Sequence, residues 1–151
     1  MKGKLAGQGN PPIDLVQVGS GENVKNAQAV VVMGSDGEPI NIPKKHTFHD
    51  EVTTIGNGID FVNIGYKSLR VMISSNIAPA TRNINFLAAI GTTFVALNGF
   101  KETALTSGIS SSGIGTEVWV FDIEGYETVR MDLTALTGTN ADTSVVGVST
   151  C

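Results

Sequence analysis

Residues 61–73 read FVNIGYKSLRVMI, and residues 121–133 read FDIEGYETVRMDL. Aligned 60 residues apart, Phe61 matches Phe121, Gly65 matches Gly125, Tyr66 matches Tyr126 and Arg70 matches Arg130. Leu69/Val129, Val71/Met131 and Ile73/Leu133 are matching apolar positions. After the glycine, apolar residues alternate with others, the period-two pattern of a strand with one buried face. The glycine supplies the positive φ of a tight turn at no steric cost. Each stretch therefore reads as strand, turn, strand. Two such hairpins half a domain apart predict a two-sheet β-sandwich in which both sheets contribute equivalent strands. Arg70 and Arg130 then point away from the core. They either pair with nearby carboxylates such as Asp60 or Asp122, or meet a neighbouring subunit, where arginine is enriched.

Working outward, residues 51–151 carry short strand signals at 51–55, 59–64, 68–74, 83–90, 93–97, 101–105, 116–122, 127–134 and 143–149, separated by Gly, Asn or Ser clusters. No window carries a clean helical pattern. The expected fold is all-β, an antiparallel, jelly-roll-like sandwich over residues 51–151. Longer loops are expected at 74–82 and at 106–115, where TSGISSSGIG is low in complexity and predicted to be mobile or held at an interface. Trp119, Phe121, Phe61, Phe86 and Phe94 lie in apolar runs and are assigned to the core.

Residues 28–50 read as a hairpin and a loop. Ala29–Met33 is an apolar run, Asp36-Gly37 a turn pair, and Pro39–Ile42 resumes the alternation. KKHTFHD, residues 44–50, is polar and assigned to a loop. Residues 1–27 read as an extended N-terminal arm interrupted by Gly and Pro, in which only Ile13, Leu15, Val16 and Val18 form a strand-like stretch able to pair with another molecule.

Composition narrows the function. The chain has 151 residues, 41 % hydrophobic and 16 % charged, with 18 glycines. That is enough apolar material for a core and too little charge for a disordered chain. A net charge of −4 argues against non-specific nucleic-acid binding. No apolar run reaches the ~18 residues of a membrane span, and MKGKLAGQGNPP lacks the apolar stretch of a secretory leader. The one cysteine, Cys151, permits no intrachain disulfide and no multi-cysteine zinc site.

No catalytic constellation emerges, and the expectation is a protein that is not an enzyme. His46 and His49 share one polar segment, and no serine sits in a G-x-S-x-G setting. His46-x-x-His49-Asp50 on a loop fixes no metal geometry, so these are read as solvated histidines. Asp122, Glu124 and Glu127 are paired carboxylates without a cleft to face, and D-x-D-x-D-G calcium spacing is absent. Residues 107–115 lack the lysine and following helix of a phosphate loop. No cofactor and no metal are expected. A sugar-binding surface would need exposed rings, for which Phe48, Phe100 and Tyr66 are the candidates.

Four segments carry a resemblance: IDFVNIGYKSLRVMISS (59–75), TEVWVFDIEGYETVRMDLTAL (116–136), SVVGVST (144–150) and AQAVVVMGSDGEPINIP (27–43). Together they resemble the small β-sandwich domains of tailed-bacteriophage virion proteins. The resemblance implies a structural role in the virion as a capsid decoration, head-fibre or tail-associated protein. It also implies a homo-oligomer, with a trimer favoured, whose partner is the major capsid protein or another virion protein, and no catalytic residues. An arm that adds a strand to a neighbour's sheet suits that role. The competing reading is a carbohydrate-binding or host-attachment module of a tail, baseplate or head fibre.

Overall fold

The structure is a computed structural model, and it describes residues 43–151. The arm at 1–27, with Ile13, Leu15, Val16 and Val18, and the hairpin over 28–42 lie outside the described residues.

Twelve strands follow in chain order: β1 (Lys44–Val52), β2 (Gly56–Asn57), β3 (Phe61–Val62), β4 (Ser68–Ser74), β5 (Thr81–Ile90), β6 (Thr93–Ala96), β7 (Gly99–Lys101), β8 (Thr106–Gly108), β9 (Ser110–Ser111), β10 (Glu117–Asp122), β11 (Thr128–Thr137) and β12 (Thr143–Thr150). Sheet A has the order β1-β12-β4-β10-β7-β8; sheet B runs β2-β11-β5-β6, with β3 also on β11 and β9 also on β5. Every pairing is antiparallel. The described residues contain no helix, so the all-β sandwich is the observed fold.

The two sheets pack through alternating residues. Leu69, Val71 and Ile73 of β4 and Trp119 and Phe121 of β10 face Ile84 and Phe86 of β5 and Val129, Met131 and Leu133 of β11, all buried. Phe86 meets Trp119 and Phe121 edge-on, each with ring centroids 4.8 Å apart, the geometry that aromatic quadrupoles prefer. A β-carbon on Gly99 would come within 2.3 Å of the Phe121 ring, so β7 lies this close to β10 only because it has no side chain there.

The internal repeat is present, but its two copies are not hairpins. β3 starts in sheet B and its continuation β4 lies in sheet A; β10 starts in sheet A and its continuation β11 lies in sheet B. Each strand pairs with the other copy. Phe61 and Val62 pair with Val129 and Thr128, while Phe121 and Asp122 pair with Leu69 and Ser68. The turns are reciprocal too: Asn63 N–H donates to Glu127 O at 2.8 Å, and Ile123 N–H donates to Lys67 O at 2.8 Å. These partners exchange under the same 60-residue offset, so the copies form two interlocked corners about a pseudo-twofold axis. Gly65 and Gly125 adopt φ of 105° and 83°, as the turns require. The pattern specified strand, turn, strand; a local code cannot say which strand supplies the hydrogen-bond partners.

Three further expectations change. Residues 44–50 are not a loop but most of β1, paired to β12 from Lys44↔Ser149 onward. Their polarity misleads because Lys45 and Thr47 face outward, while two register shifts turn both Phe48 and His49 inward. Residues 44–50 therefore belong to the sandwich that the sequence starts at 51. Strand character at 51–55 stops at Val52, and 102–105 is a turn. The low-complexity stretch 106–115 contains β8 and β9, and Ser111 in it is buried.

Candidate functional site

The residues picked out for chemistry are structural. His49 is buried, and its Nε2–H donates to Met131 O at 2.7 Å; His46 Nε2–H donates to Ile59 O at 2.9 Å. A carbonyl only accepts, so both rings carry the proton on Nε2. With Ile59 N–H on Phe48 O (2.9 Å) and Gly58 N–H on Met131 O (3.0 Å), they stitch β1 of sheet A to the 56–62 segment and β11 of sheet B. They are not the solvated pair that the sequence suggests. Among the described residues, no three His, Cys, Asp or Glu side chains gather as a metal site. Phe48 and Tyr66 are buried and only Phe100 is exposed, so the three rings form no surface platform for sugar stacking.

Among the described residues, two buried charged side chains, Glu117 and Arg82, lie beside the 111–117 segment. The Glu117 carboxylate, 3 % exposed, accepts from Lys101 Nζ at 2.5 Å, from Trp119 Nε1 at 2.9 Å and from Ser111 Oγ. Burial alone would push this carboxyl upward; the donors from Lys101, Ser111 and Trp119 outweigh it and hold it below the ordinary glutamate value. Arg82, 2 % exposed, donates to Ser75 Oγ at 3.1 Å and Gly115 O at 2.5 Å. Burial lowers its pKa, and the charge of Glu117 opposes that. Gly113 lies against Glu117, where any β-carbon would overlap Oε1. These groups hold the 111–117 segment onto the core. They are a buried ionic clamp, and residues 75, 82, 101, 111 and 117 carry no sequence signal that would gather them.

The second missed residue is Asn63. Its Nδ2 lies 3.1, 2.9 and 3.0 Å from the carbonyls of Tyr66, Ile123 and Tyr126, and its Oδ1 accepts from Gly65 and Tyr66 N–H. One amide thus pins both interlocked corners. The repeat hides it, because its counterpart in the second copy is Ile123.

Both predicted arginines face outward and both have carboxylate partners. Arg130 grips Asp60 with two bonds, Nε–Oδ1 at 2.5 Å and Nη2–Oδ2 at 2.8 Å, and its Cζ lies 4.1 Å from the Phe94 ring centroid. The hydrogen bonds from Arg130 draw the Asp60 carboxyl below its usual range. Arg70 pairs not with Asp122 but with Glu102, at 2.5 Å.

Exposed large hydrophobics are spread over the described residues, from Ile77 and Ile90 to Leu105 and Ile114, and two groups of them share a sheet face or a stretch of chain. The outer face of sheet A aligns Lys45, Val148, Arg70, Val120 and Phe100 in one cross-strand row. Thr47, Val146, Met72 and Val118 form the next. Met72 is 47 %, Phe100 42 % and Val148 41 % exposed. Along the rim of sheet B, Ile55, Ile59, Val62 and Ile64 are each about 60 % exposed or more. The outer face of sheet B is polar instead, with Asn83 bonded to Thr134 and Asn85, and Thr81 bonded to Thr137.

Comparison with known proteins supplies a lineage. The XepA family profile matches residues 43–149, nearly all of the described sandwich. The chain belongs to the XepA family. It is 33 % identical over 112 residues to YomS, an SPbeta prophage-derived protein of Bacillus subtilis strain 168, across 72 % of this chain and 90 % of YomS. It is also 33 % identical over 103 residues to YqxG of the same organism, across 68 % of this chain, and spans only about a third (34 %) of YqxG. The crystal structure of the SPBc2 prophage-derived protein YomS superposes with a TM-score of 0.64, covering 73 % of this chain and 96 % of that one at 33 % identity. That of the PBSX exported protein XepA gives 0.61 over 99 % of this chain and 48 % of the other; at 20 % identity it speaks for the fold alone. The XepA-family relation ties the chain to prophage-encoded proteins and agrees with the phage resemblance of its sequence.

Proposed function

We propose that this XepA-family protein is a structural component of a phage particle. In this reading it is a capsid decoration protein that self-associates, with a trimer as the favoured oligomer, and joins the shell through its N-terminal residues 1–27. The observation that carries the reading is the family relation to prophage-derived proteins, and the exposed Met72, Phe100 and Val148 on the outer face of sheet A offer a surface that a partner could cover. The phage ancestry of the relatives favours the virion, or the exterior of the host cell, as its location; XepA itself is described as exported. The partners proposed are further copies of this chain and the major capsid protein or another virion protein, with no cofactor, nucleic acid or membrane. The sugar-binding alternative loses its main support with the burial of Phe48 and Tyr66.

The test is deletion of residues 1–27 in the phage that encodes the protein. The truncated chain should fold but be missing from purified particles. Incorporation at wild-type occupancy would overturn the attachment reading, and absence of the full-length protein from particles would overturn the structural one.

A further inference from the structure

A β-sheet ends in a row of unpaired N–H and C=O groups, and proteins blunt such edges with charge, proline, bulges or short strands. Among the described residues, every edge of this sandwich is blunted but one. At one end of sheet A, β1 carries two register shifts, a positive φ at Glu51 and the charges of Lys44, Lys45, Asp50 and Glu51. Its Phe48 carbonyl is also taken, by Ile59 N–H. At the other end, β8 has three residues and follows Leu105, whose φ is 52°. In sheet B, β2, β3 and β9 have two residues each.

The exception is β6. It closes sheet B beyond β5 and pairs with it from Ile90↔Thr93 to Leu87↔Ala96 without a register shift. No charged residue and no proline lies between Arg82 and Lys101. The register fixes which backbone groups point outward. Leu97 N–H donates to Phe86 O at 2.9 Å, and antiparallel bonding alternates along a strand. Thr93 and Val95 therefore bond to β5, while Phe94 and Ala96 turn their N–H and C=O to the open side. The side chains agree. Val95 lies opposite the buried Ala88, on the core side of the sheet, yet is 49 % exposed; Ile90, on the same side, is 66 % exposed. The core side of sheet B is thus open at this edge, and a further strand would lay an apolar side chain beside Val95.

Four residues span about 13 Å. A rigid second copy meeting so short an edge would bury far less than the ~800 Å² per partner of a stable interface. An extended segment is not so limited, because it can bond to Phe94 and Ala96 and still bend over Ile90 and Val95. Beside Val95 it must be uncharged, since residues 83–100 offer no counter-ion. We infer that the free edge of β6 accepts an extended, uncharged segment of a partner protein, apolar at alternate positions, as an added strand of sheet B. This specifies how a partner of the kind proposed above is held, and rests on that reading only for the partner's being a virion protein.

Nuclear magnetic resonance on the purified full chain, without phage particles, tests it. The probe is an acetylated, amidated peptide of alternating threonine and valine, with a lysine at each end outside the paired stretch. It should shift the amide signals of β6 saturably and slow hydrogen exchange at Phe94 and Ala96, leaving the outer face of sheet A unmoved. The same peptide with its valine amides methylated should not bind. Ala96→Pro removes one outward donor and no bond to β5, and should weaken binding about tenfold with the fold retained. If that variant fails to fold, Val95→Lys, which sets a charge on the rim, takes its place. No saturable shift at β6, equal binding of the methylated peptide, or unchanged binding to a folded variant would each overturn the inference. A wild-type mass in light scattering that falls on Ala96→Pro would overturn it as well, because a second copy would then fill the edge. With no particle present, failure here leaves the virion reading standing, and absence of the protein from particles leaves the β6 edge standing.

Discussion

Replacing Glu117 with Gln removes one charge and almost no volume, which isolates the electrostatics of the buried clamp. In the wild type the carboxylate accepts from Lys101, Trp119 and Ser111 in a site only 3 % exposed. The amide can still accept from one or two of these donors, but it leaves Lys101 without a counter-ion and Arg82 without the nearest opposing charge. Hydrogen bonds to a charged group contribute about 1.5–3 kcal/mol each, and removing one partner of a buried ion pair costs about 3–5 kcal/mol. Lys101 is 24 % exposed and can turn its ammonium to water, which reduces the loss. The expected destabilisation is about 2–4 kcal/mol, or a fall in Tm of roughly 8–15 °C for a domain of this size. The pH dependence provides a second check. The folded pKa of Glu117 is depressed, so its contribution is complete above the unfolded value of about 4.3 and is lost as pH falls through the folded value. The gap in urea midpoint between wild type and variant should be wide at pH 7 and narrow below about pH 4. A Tm within 2 °C of wild type at pH 7, or a gap that widens in acid, would refute the clamp.

Asn63→Ala should cost about 2–4 kcal/mol in chemical denaturation, since it orphans several turn groups in both corners. Asn63→Asp should be worse, because it points a carboxylate at three carbonyl oxygens; an aspartate variant more stable than the alanine one would contradict the pinning role. Gly99→Ala should lower stability by about 1–3 kcal/mol, because the new methyl must displace the Phe121 ring. An unchanged Tm for that variant would mean that β7 moves freely against β10.

Residues Leu69, Val71 and Ile73 show how far a local pattern reaches. Period-two alternation assigned β4 its bounds, its inner face and its outward arginine, and the structure keeps all three. The same rule misplaced residues 44–50, because β1 turns Phe48 and His49 to the same side across its register shifts, and alternation has no symbol for a bulge. It also made Phe48 and Tyr66 look available for ligands. Their burial depends on partners far away in sequence.

Alternation and turn chemistry were sufficient for the class of fold, the repeat, the positive-φ glycines and most of the core, since each depends on residues within a few positions of one another. Pairing was not local. Which copy of the repeat supplies each hydrogen-bond partner, the meeting of Arg82, Lys101, Ser111 and Glu117, and the alignment of Met72, Val118, Val148 and Phe100 into one outer face all depend on long-range register. That register is selected by burying both sheets against each other at once, a choice made by the whole core rather than by any segment of it.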